Sequence, residues 1–314
     1  MIRIGLIGIG RFGKNYLRLL QNTPDVELVT VAATSEKSFE DIELPVSIKK
    51  TTDVKEIFND SEIDAVVIAT PTETHSSLAS QALQSGKHVL LEKPMVASLT
   101  EAETLAKIAE KSGKILMIGH QYLYNDYVRL LKEKLDQSFF GDIQYIYAEH
   151  FYTRPLESTM GCFWETATHE LAILDYLFGQ FTPEKKQVFF QSFFETTRDD
   201  FASVSFLLSG KIPVSITTSW LAPEKIRRFQ IVGEKGGAVF DEVRDSKNPL
   251  RLYEKDNSVA YKEIPVLVAN PGEPLQNEVM HFVNCIKEAG IPLTDYRHGL
   301  RITKYLDTLI LIDK

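Results

Sequence analysis

A glycine-rich stretch near the start of the chain has the spacing that phosphate binding requires. Gly8, Gly10 and Gly13 form a G-x-G-x-x-G pattern directly after residues 2–7, which are expected to form a buried strand, and helical spacing follows over 14–21. In a strand–loop–helix unit the first glycine makes a tight turn and the second lets the backbone approach a pyrophosphate. The third lets the helix pack on the strand. A glycine-rich turn that binds nothing is the alternative, but the flanking strand and helix favour dinucleotide binding.

Two polar stretches follow apolar runs in the same half of the chain. Residues 65–69 are a continuous apolar run, which is typical of a strand buried on both faces, and the next strand is expected over 88–91. The stretches 70–75 and 92–94 come directly after them. Ligands of a doubly wound sheet lie beyond the carboxyl ends of its strands. The sequence therefore predicts that both stretches meet the glycine loop at one site.

Strands and helices alternate through the rest of this half. Further strands are expected over 26–33 and 114–118. Ser98 and Glu101 have the spacing of a capping box, and Gly113 is placed to end the helix that they begin. This alternation predicts an α/β domain with a doubly wound parallel sheet, a Rossmann fold.

The second half is dominated by strand-like stretches of one-sided polarity. Ala202, Val204 and Phe206 fall on one face of a strand, whereas Ser203 and Ser205 fall on the other. Such strands indicate an open sheet with one face covered by helices. The main internal helix is expected over 168–178, and two more helices near the end of the chain.

Length and composition limit the classes of function. A chain of 314 residues predicts two domains, here 1–119 and 120–314. The net charge of -8 argues against nucleic acid or an anionic membrane as a partner. No apolar stretch approaches the roughly 20 residues that span a bilayer. Two cysteines form no disulfide framework, which predicts a reducing, cytoplasmic location.

The loop after the second strand bears on the choice between NAD and NADP. An acidic residue at that strand tip binds the ribose 2′-hydroxyl of NAD. This chain has Ala33-Thr34-Ser35-Glu36-Lys37 there instead. Ser35 and Lys37 can hold a 2′-phosphate, although Glu36 can still turn in and an ordinary polar loop is the alternative. The sequence favours NADP, with NAD as the alternative.

These features together resemble the Gfo/Idh/MocA oxidoreductases. The resemblance rests on the glycine motif of 8–13, the stretch 70–75 and the Glu-Lys-Pro sequence of 92–94. Residues 141–143, which open a strand, and His169 near a helix start extend it over essentially the whole chain. The family implies a Rossmann domain followed by an α/β domain with an open, mostly antiparallel sheet. It also implies hydride transfer between NAD(P) and a sugar, cyclitol or similar polyol, and homodimers or homotetramers formed through that sheet.

The chain departs from the family pattern at three positions. Glu165 stands where the family commonly has aspartate, four residues before His169. Ala172 replaces a further aspartate, and Leu123 replaces a frequent arginine. These changes leave the fold prediction unaffected and leave the substrate open.

The resemblance assigns roles to individual residues. Oxidation of a secondary alcohol needs a base for the hydroxyl proton, and lysine can serve when burial and a nearby cation lower its pKa. Lys93 is the predicted base, with His169 as proton relay or main acid/base group. Glu165 is expected to orient His169 or to hold a substrate hydroxyl. Tyr122 and Arg154 are candidates for substrate contact, although packing and a surface position are their plainer interpretations.

The predicted site contains no metal ligands, because no His, Cys or Asp cluster has ligand spacing. The expected catalytic residues are Lys93, His169 and Glu165, and the expected substrate-binding residues are Lys93, Tyr122, Arg154, Glu165 and His169. The expected cofactor-binding residues are Gly8, Gly10, Arg11, Phe12, Gly13, Thr34, Ser35, Lys37, Thr70, Pro71, His75, Glu92 and Lys93.

Two other functions remain open at this point. One is a glycoside hydrolase of the same fold that uses NAD as a recycled internal oxidant. The other is a non-catalytic dinucleotide sensor, against which the presence of both Lys93 and His169 argues.

Overall fold

The computed structural model describes residues 1–40, 42–153, 160–194, 198–256 and 260–311. The chain divides into two compact units. Unit 1 comprises Met1–Gln121 and Leu275–Thr303, and unit 2 comprises Tyr122–Pro274 and Lys304–Lys314.

The regular elements are numbered here in chain order. The strands are β1 Ile2–Ile7, β2 Val26–Ala32, β3 Lys49–Thr51, β4 Ala65–Ile68, β5 His88–Glu92, β6 Leu116–Gly119, β7 Ile143–Thr153, β8 Pro183–Gln191, β9 Phe201–Leu208, β10 Ile212–Ser219, β11 Leu221–Gly233, β12 Gly236–Asp241, β13 Leu250–Lys255 and β14 Tyr261–Ile264. The helices are α1 Gly13–Leu20, α2 Lys55–Phe58, α3 Thr72–Gln84, α4 Leu99–Ser112, α5 Asp126–Asp136, α6 Cys162–Phe178, α7 Pro274–Glu288 and α8 Tyr296–Ile310.

Unit 1 is built on a six-stranded parallel sheet, which confirms the predicted Rossmann fold. The strand order is β3-β2-β1-β4-β5-β6, so the order reverses between β1 and β4. Such a switch point opens a crevice at the carboxyl ends of the strands. All four residues of β4 are buried, as expected of a strand covered on both faces.

The helix signals in unit 1 act as their residue types predict. The Ser98 side chain accepts a hydrogen bond from the Glu101 N–H and begins α4. Gly113 ends the same helix in the left-handed conformation, with φ of 65°. These local signals position β5 and β6, because α4 connects the two strands.

The end of the chain corrects the predicted domain division. The expectation placed all of 120–314 in the second domain, but Leu275–Thr303 groups with unit 1. The Ile118 N–H donates to the Thr294 carbonyl at 2.8 Å, and the Thr294 hydroxyl donates to the Ile118 carbonyl at 2.7 Å. Val279 of α7 is also fully buried. This segment therefore extends the core of unit 1 beyond β6.

Unit 2 contains an eight-stranded sheet, which confirms the predicted open, mostly antiparallel sheet. Its order is β14-β13-β12-β11-β7-β10-β9-β8, and only β7 and β10 pair in parallel. Helix α6 packs on β7, β9 and β10. Along β9, Ala202, Val204 and Phe206 are buried, whereas Ser203 and Ser205 are only half-buried, as the alternation predicts.

Helix α6 begins at Cys162, which is six residues earlier than the expected start at residue 168. Asp199 explains the earlier start. Its backbone carbonyl accepts from the Cys162 N–H at 2.8 Å, and its carboxylate accepts from the Phe163 N–H at 2.8 Å. These bonds satisfy donors that a helix terminus otherwise leaves open. The extra turns place Glu165 on the helix, one turn before His169.

Candidate functional site

The three glycines of the loop after β1 have different surroundings. A Cβ atom on Gly8, whose φ is +95°, would lie 2.6 Å from the Ala69 carbonyl oxygen. A Cβ on Gly13 would lie 2.1 Å from the Gly8 carbonyl oxygen, whereas a Cβ on Gly10 would meet nothing within 4 Å. Packing within the unit therefore requires glycine at Gly8 and Gly13. At Gly10 the absent side chain leaves open space that suits an approaching pyrophosphate.

The loop leads directly into the N-terminus of α1. Phe12 is the cap residue of this helix, and its side chain makes no capping hydrogen bond. Arg11 is exposed beside it. The positive end of the α1 dipole is thus suited to phosphate oxygens. These features make the loop and the first turn of α1 a fit for a dinucleotide.

His75 connects the segments that follow β4 and β5. Its ring is buried, with Nδ1 2.9 Å from the Pro94 carbonyl oxygen and Nε2 2.9 Å from the Thr70 carbonyl oxygen. The Thr74 hydroxyl also donates to the Pro71 carbonyl at 2.7 Å. Both ring nitrogens of His75 therefore face backbone oxygens that shape the two segments.

Glu92 and Lys93 lie at the carboxyl end of β5. The Tyr16 hydroxyl donates to Glu92 Oε1 at 2.8 Å, and the Lys93 N–H donates to Glu92 Oε2 at 3.0 Å. Burial raises the pKa of Glu92 to about 7, against the opposing effect of the Lys93 charge. The Lys93 side chain is half-buried. A titratable carboxyl thus lies directly beside the predicted base.

A buried histidine pair lies close to this strand end. The rings of His120, after β6, and His298, on α8, meet edge to face with centroids 5.1 Å apart. Burial, followed by repulsion from His298 and Lys93, lowers the pKa of His120 well below its usual value. His120 is therefore neutral at neutral pH. The sequence analysis did not single out either histidine as a site residue.

The loop after β2 presents polar side chains at the surface. Thr34, Ser35 and Lys37 are all exposed. The Ser35 hydroxyl lies 3.2 Å from the Ser38 hydroxyl, and a short 3₁₀ helix runs over Glu36–Phe39. The exposed hydroxyls and ammonium group are free of the sheet core and can reach an anionic group.

In unit 2 the rings of Tyr122 and His150 pack against His169. The Tyr122 ring meets it edge to face at 5.0 Å, and the His150 ring stacks on it at 5.7 Å with an interplanar angle of 19°. His150 Nδ1 is 2.9 Å from Glu170 Oε1, and both residues are buried. His169 is itself only 7% exposed. The acid/base candidate is thus held among rings, which limits its orientation.

The Tyr122 hydroxyl belongs to a second polar network. It donates to Glu242 Oε2 at 2.8 Å and accepts from an Arg227 nitrogen at 3.3 Å. Asn125 also donates to Glu242, at 3.2 Å. Burial and then the Glu242 charge raise the pKa of Tyr122 well above its usual value. Tyr122 therefore stays protonated, and its hydroxyl hydrogen is used in the hydrogen bond to Glu242.

The remaining predicted site residues differ in what the structure describes. Glu165 is buried on α6, one turn before His169. Arg154 lies outside the described residues. No group of three His, Cys, Asp or Glu side chains in the described ranges is arranged to hold a metal ion. No helix in the same ranges combines the length and apolar character needed to cross a bilayer.

Sequence reasoning missed several residues of these clusters. His150 was available to it, because strand alternation along β7 places it on the same face as the buried Ile146 and Ala148. A histidine on an inward face is a signal in itself. Glu242 and Arg227 gave no such signal, since their importance comes from contacts with residues more than 100 positions away.

Two family models match successive parts of the chain. The model described as "Oxidoreductase family, NAD-binding Rossmann fold" matches residues 2–120. The model described as "GFO/IDH/MocA C-terminal domain" matches residues 128–239. Unit 1 is thus built on an NAD-binding Rossmann fold.

Individual proteins also match the chain. The uncharacterized oxidoreductase YdgJ of Escherichia coli is 34% identical over 151 residues, which cover 48% of this chain and 43% of that protein. The scyllo-inositol 2-dehydrogenase (NAD(+)) of Bacillus subtilis is 24% identical over 310 residues, which cover 93% of this chain and 88% of that protein. A solved structure from Magnetospirillum magnetotacticum MS-1 has a TM-score of 0.83 at 26% identity and covers 98% of both chains. The chain therefore spans about half the length of YdgJ and of some other curated relatives that it matches.

Proposed function

The chain belongs to the Gfo/Idh/MocA family of oxidoreductases, and from this premise we propose that it is an NAD(P)-dependent dehydrogenase or reductase. Its proposed substrate is the secondary alcohol or ketone of a sugar, cyclitol or related polyol. The observation that carries the proposal is the arrangement of unit 1. Open space over Gly10 lies at the switch point of the sheet, and Lys93 follows the carboxyl end of β5 in that sheet.

Lys93 is the proposed acid/base group. A bound nicotinamide would supply the hydride acceptor for oxidation of the alcohol and the hydride donor for reduction of the ketone. Lys93 takes the hydroxyl proton during oxidation and supplies it during reduction. Its half-buried position, with the Glu92 carboxyl bonded to its own N–H, supports this role.

His169 is the proposed second acid/base group. Its imidazole is held between the rings of Tyr122 and His150, which supports a fixed orientation. Glu165, one turn earlier on α6, is proposed to orient His169 or to hold a neighbouring hydroxyl. The Tyr122 hydroxyl donates a hydrogen bond to Glu242, so its proposed role is to position His169.

The preference for NADP over NAD is also a proposal. It rests on the loop after β2, where Ser35 and Lys37 are exposed and no carboxylate directly follows the strand. Serine and lysine are suited to a 2′-phosphate as hydrogen-bond donor and point charge. Among the relatives, the Bacillus subtilis protein carries NAD(+) in its name.

We further propose that the outer face of the sheet in unit 2 joins copies of the chain into dimers or tetramers. Tyr145 and Phe189 are 44% and 57% exposed, and strand register places them on the same face. Changing Phe189 to Glu should reduce the oligomer mass measured by light scattering.

The free thiols of Cys162 and Cys285 fit a reducing compartment such as the cytoplasm.

The function is tested by following the absorbance of reduced nicotinamide with purified protein. The panel contains sugars, cyclitols and nucleotide sugars, each assayed with NAD and NADP. We expect reduction of one cofactor with a polyol of the panel. Release of a sugar without net change in cofactor absorbance would favour the glycoside hydrolase. Cofactor binding without turnover of any substrate would favour the sensor.

A further inference from the structure

Three buried polar side chains of unit 1 meet beside Lys93. Tyr16 comes from α1, Glu92 from the end of β5 and Glu278 from α7. The Tyr16 hydroxyl oxygen lies 2.8 Å from Glu92 Oε1 and 2.9 Å from Glu278 Oε1. Tyr16 and Glu278 are fully buried, and Glu92 is 7% exposed. The three residues form one hydrogen-bonded cluster that is shielded from solvent.

Counting the available protons shows that one of the two carboxyl groups, Glu92 or Glu278, is neutral. A tyrosine hydroxyl has a single hydrogen and can donate to only one of two acceptors. The other carboxyl must therefore donate to the tyrosine oxygen. Without that proton, two buried anions would face a single donor, and burying an unpaired charge is strongly unfavourable.

The contacts identify Glu278 as the neutral member. Glu92 Oε2 accepts from the Lys93 N–H, and the Lys93 charge favours the ionised form of Glu92. Glu278 Oε2 has no hydrogen-bond partner among the described residues. Burial, and then the negative charge of Glu92, raises the pKa of Glu278 well above its usual value. An uncharged carbonyl oxygen tolerates this position better than a carboxylate oxygen does.

Neighbouring residues shape the space around the cluster of Tyr16, Glu92 and Glu278. A Cβ on Gly119 would lie 3.2 Å from the Tyr16 hydroxyl and 3.3 Å from Glu92 Oε1, so glycine leaves room for the cluster. The charged or titratable groups around it are Lys93, which directly follows β5, and the His120–His298 pair after β6 and on α8. Of these groups, Lys93 carries the charge that lowers the pKa of Glu92 and so favours its ionised form.

We propose that Glu278, Tyr16 and Glu92 share one carboxyl proton, with Glu278 as the neutral donor, and that they hold Glu92 as an anion against Lys93. Glu278 donates to Tyr16, and Tyr16 donates to Glu92. Glu278 and Tyr16 are positioning residues, because they act on Lys93 only through Glu92. The catalytic consequence rests on the proposed role of Lys93, whereas the proton assignment does not.

Infrared spectroscopy of the cofactor-free protein tests the proton assignment without any activity measurement. At a pH about two units above the pKa of Glu92, that carboxyl is ionised. We expect the wild type to retain the carbonyl stretch of a buried neutral carboxyl, and Glu278→Gln to lose it. An unchanged spectrum in folded Glu278→Gln would overturn the assignment, whether or not Lys93 proves catalytic.

Kinetics over a range of pH test the effect on Lys93. Tyr16→Phe removes a donor to ionised Glu92, so the acidic limb of kcat/KM should move to higher pH by about one unit. Glu278→Gln keeps a neutral donor to Tyr16 and should preserve the wild-type profile. Tyr305→Phe is the matched control, because the Tyr305 hydroxyl also donates to a buried carboxyl, that of Asp175 at 2.8 Å in unit 2. A shifted profile in Glu278→Gln, or a Tyr16→Phe profile identical to that of the control, would overturn the proposal.

Discussion

The rings of Tyr122 and His169 meet edge to face, with centroids 5.0 Å apart and an interplanar angle of 81°. The Tyr122 ring cannot turn freely, because its hydroxyl donates to Glu242 and accepts from Arg227. The orientation of His169 therefore depends on a hydrogen bond at the far end of its neighbour. A substitution that removes only the Tyr122 hydroxyl can therefore test the hydrogen bond to Glu242 while the ring stays packed beside His169.

Tyr122→Phe keeps the ring beside His169 and removes the hydroxyl. We expect the free energy of unfolding to fall by about 1.5–3 kcal/mol, because Glu242 loses a buried donor. Urea titration measures this change. Tyr127→Phe is the control, since the Tyr127 hydroxyl donates to the neutral carbonyl of Lys247 and its loss should have a smaller effect. Unchanged stability with a raised KM would instead make Tyr122 a direct substrate ligand.

Gly10→Val and Gly13→Ala should separate binding from folding. Valine at Gly10 projects into open space, so the free energy of unfolding should change by less than about 0.5 kcal/mol. Cofactor affinity should fall at least tenfold, about 1.4 kcal/mol, because the pyrophosphate loses its close approach. Alanine at Gly13 meets the Gly8 carbonyl and should destabilise the fold. Calorimetric titration measures the affinity, and unaltered binding by Gly10→Val would contradict the assignment of the loop.

His88 should make the protein less stable in acid. Its Nδ1 accepts the Ile115 N–H at 3.1 Å, and burial followed by Lys114 lowers its pKa from 6.5 to about 4. The unfolded chain binds this proton more readily, so the stability present above about pH 6.5 is lost as the pH falls towards 4. After a discount for partial exposure of the ring, the loss is about 1–2 kcal/mol.

The measurement for His88 is a series of thermal melts from neutral to acidic pH. His88→Gln cannot titrate, so its Tm should fall less steeply than that of the wild type below about pH 6.5. The two curves should run parallel above that pH. Equal slopes in the acidic range would show that His88 does not contribute to the linkage.

Local patterns predicted the elements that carry the cofactor motif. Hydrophobic periodicity, together with the residues that begin and end helices and strands, predicted the Rossmann sheet, the capping box of α4 and the position of Lys93 after β5. These features depend on residues within one turn or one strand of each other. The same local reasoning found the alternating face of β9 in unit 2.

What the sequence did not predict depends on contacts between distant residues. The start of α6 is set by Asp199, 37 positions after Cys162, and no periodicity at the helix itself reports this cap. Glu278 joins the Tyr16 cluster across 262 positions. For the same reason the chain-order division at residue 119 failed to assign Leu275–Thr303 to unit 1.

Lys37→Glu should change the choice of cofactor. If Lys37 holds the 2′-phosphate, reversing its charge should lower the ratio of NADP to NAD affinity at least tenfold, about 1.4 kcal/mol. Lys55→Glu is the control, because Lys55 is also exposed in unit 1 but lies on α2. Fluorescence titration with both reduced cofactors measures the ratio. A wild type that prefers NAD tenfold would show that the proposed preference for NADP is wrong.

Replacement of Lys93 and His169 tests the two acid/base assignments directly. Removing a positioned acid/base group lowers the rate by about 10²–10⁴. We expect Lys93→Ala to lose kcat by this order while its cofactor affinity stays nearly constant, and His169→Ala to lose the same or somewhat less. Lys107→Ala, which removes an exposed lysine from α4, is the control and should keep the wild-type rate.

The double variant distinguishes joint from independent action. If Lys93 and His169 serve the same proton transfer, Lys93→Ala/His169→Ala should be little slower than the slower single variant, because groups that act as a unit are not additive. Independent contributions would multiply the two losses of kcat. A Lys93→Ala enzyme with the wild-type rate would remove lysine from the mechanism and leave His169 as the acid/base group. Stopped-flow measurement of single turnovers keeps product release from masking any of these differences.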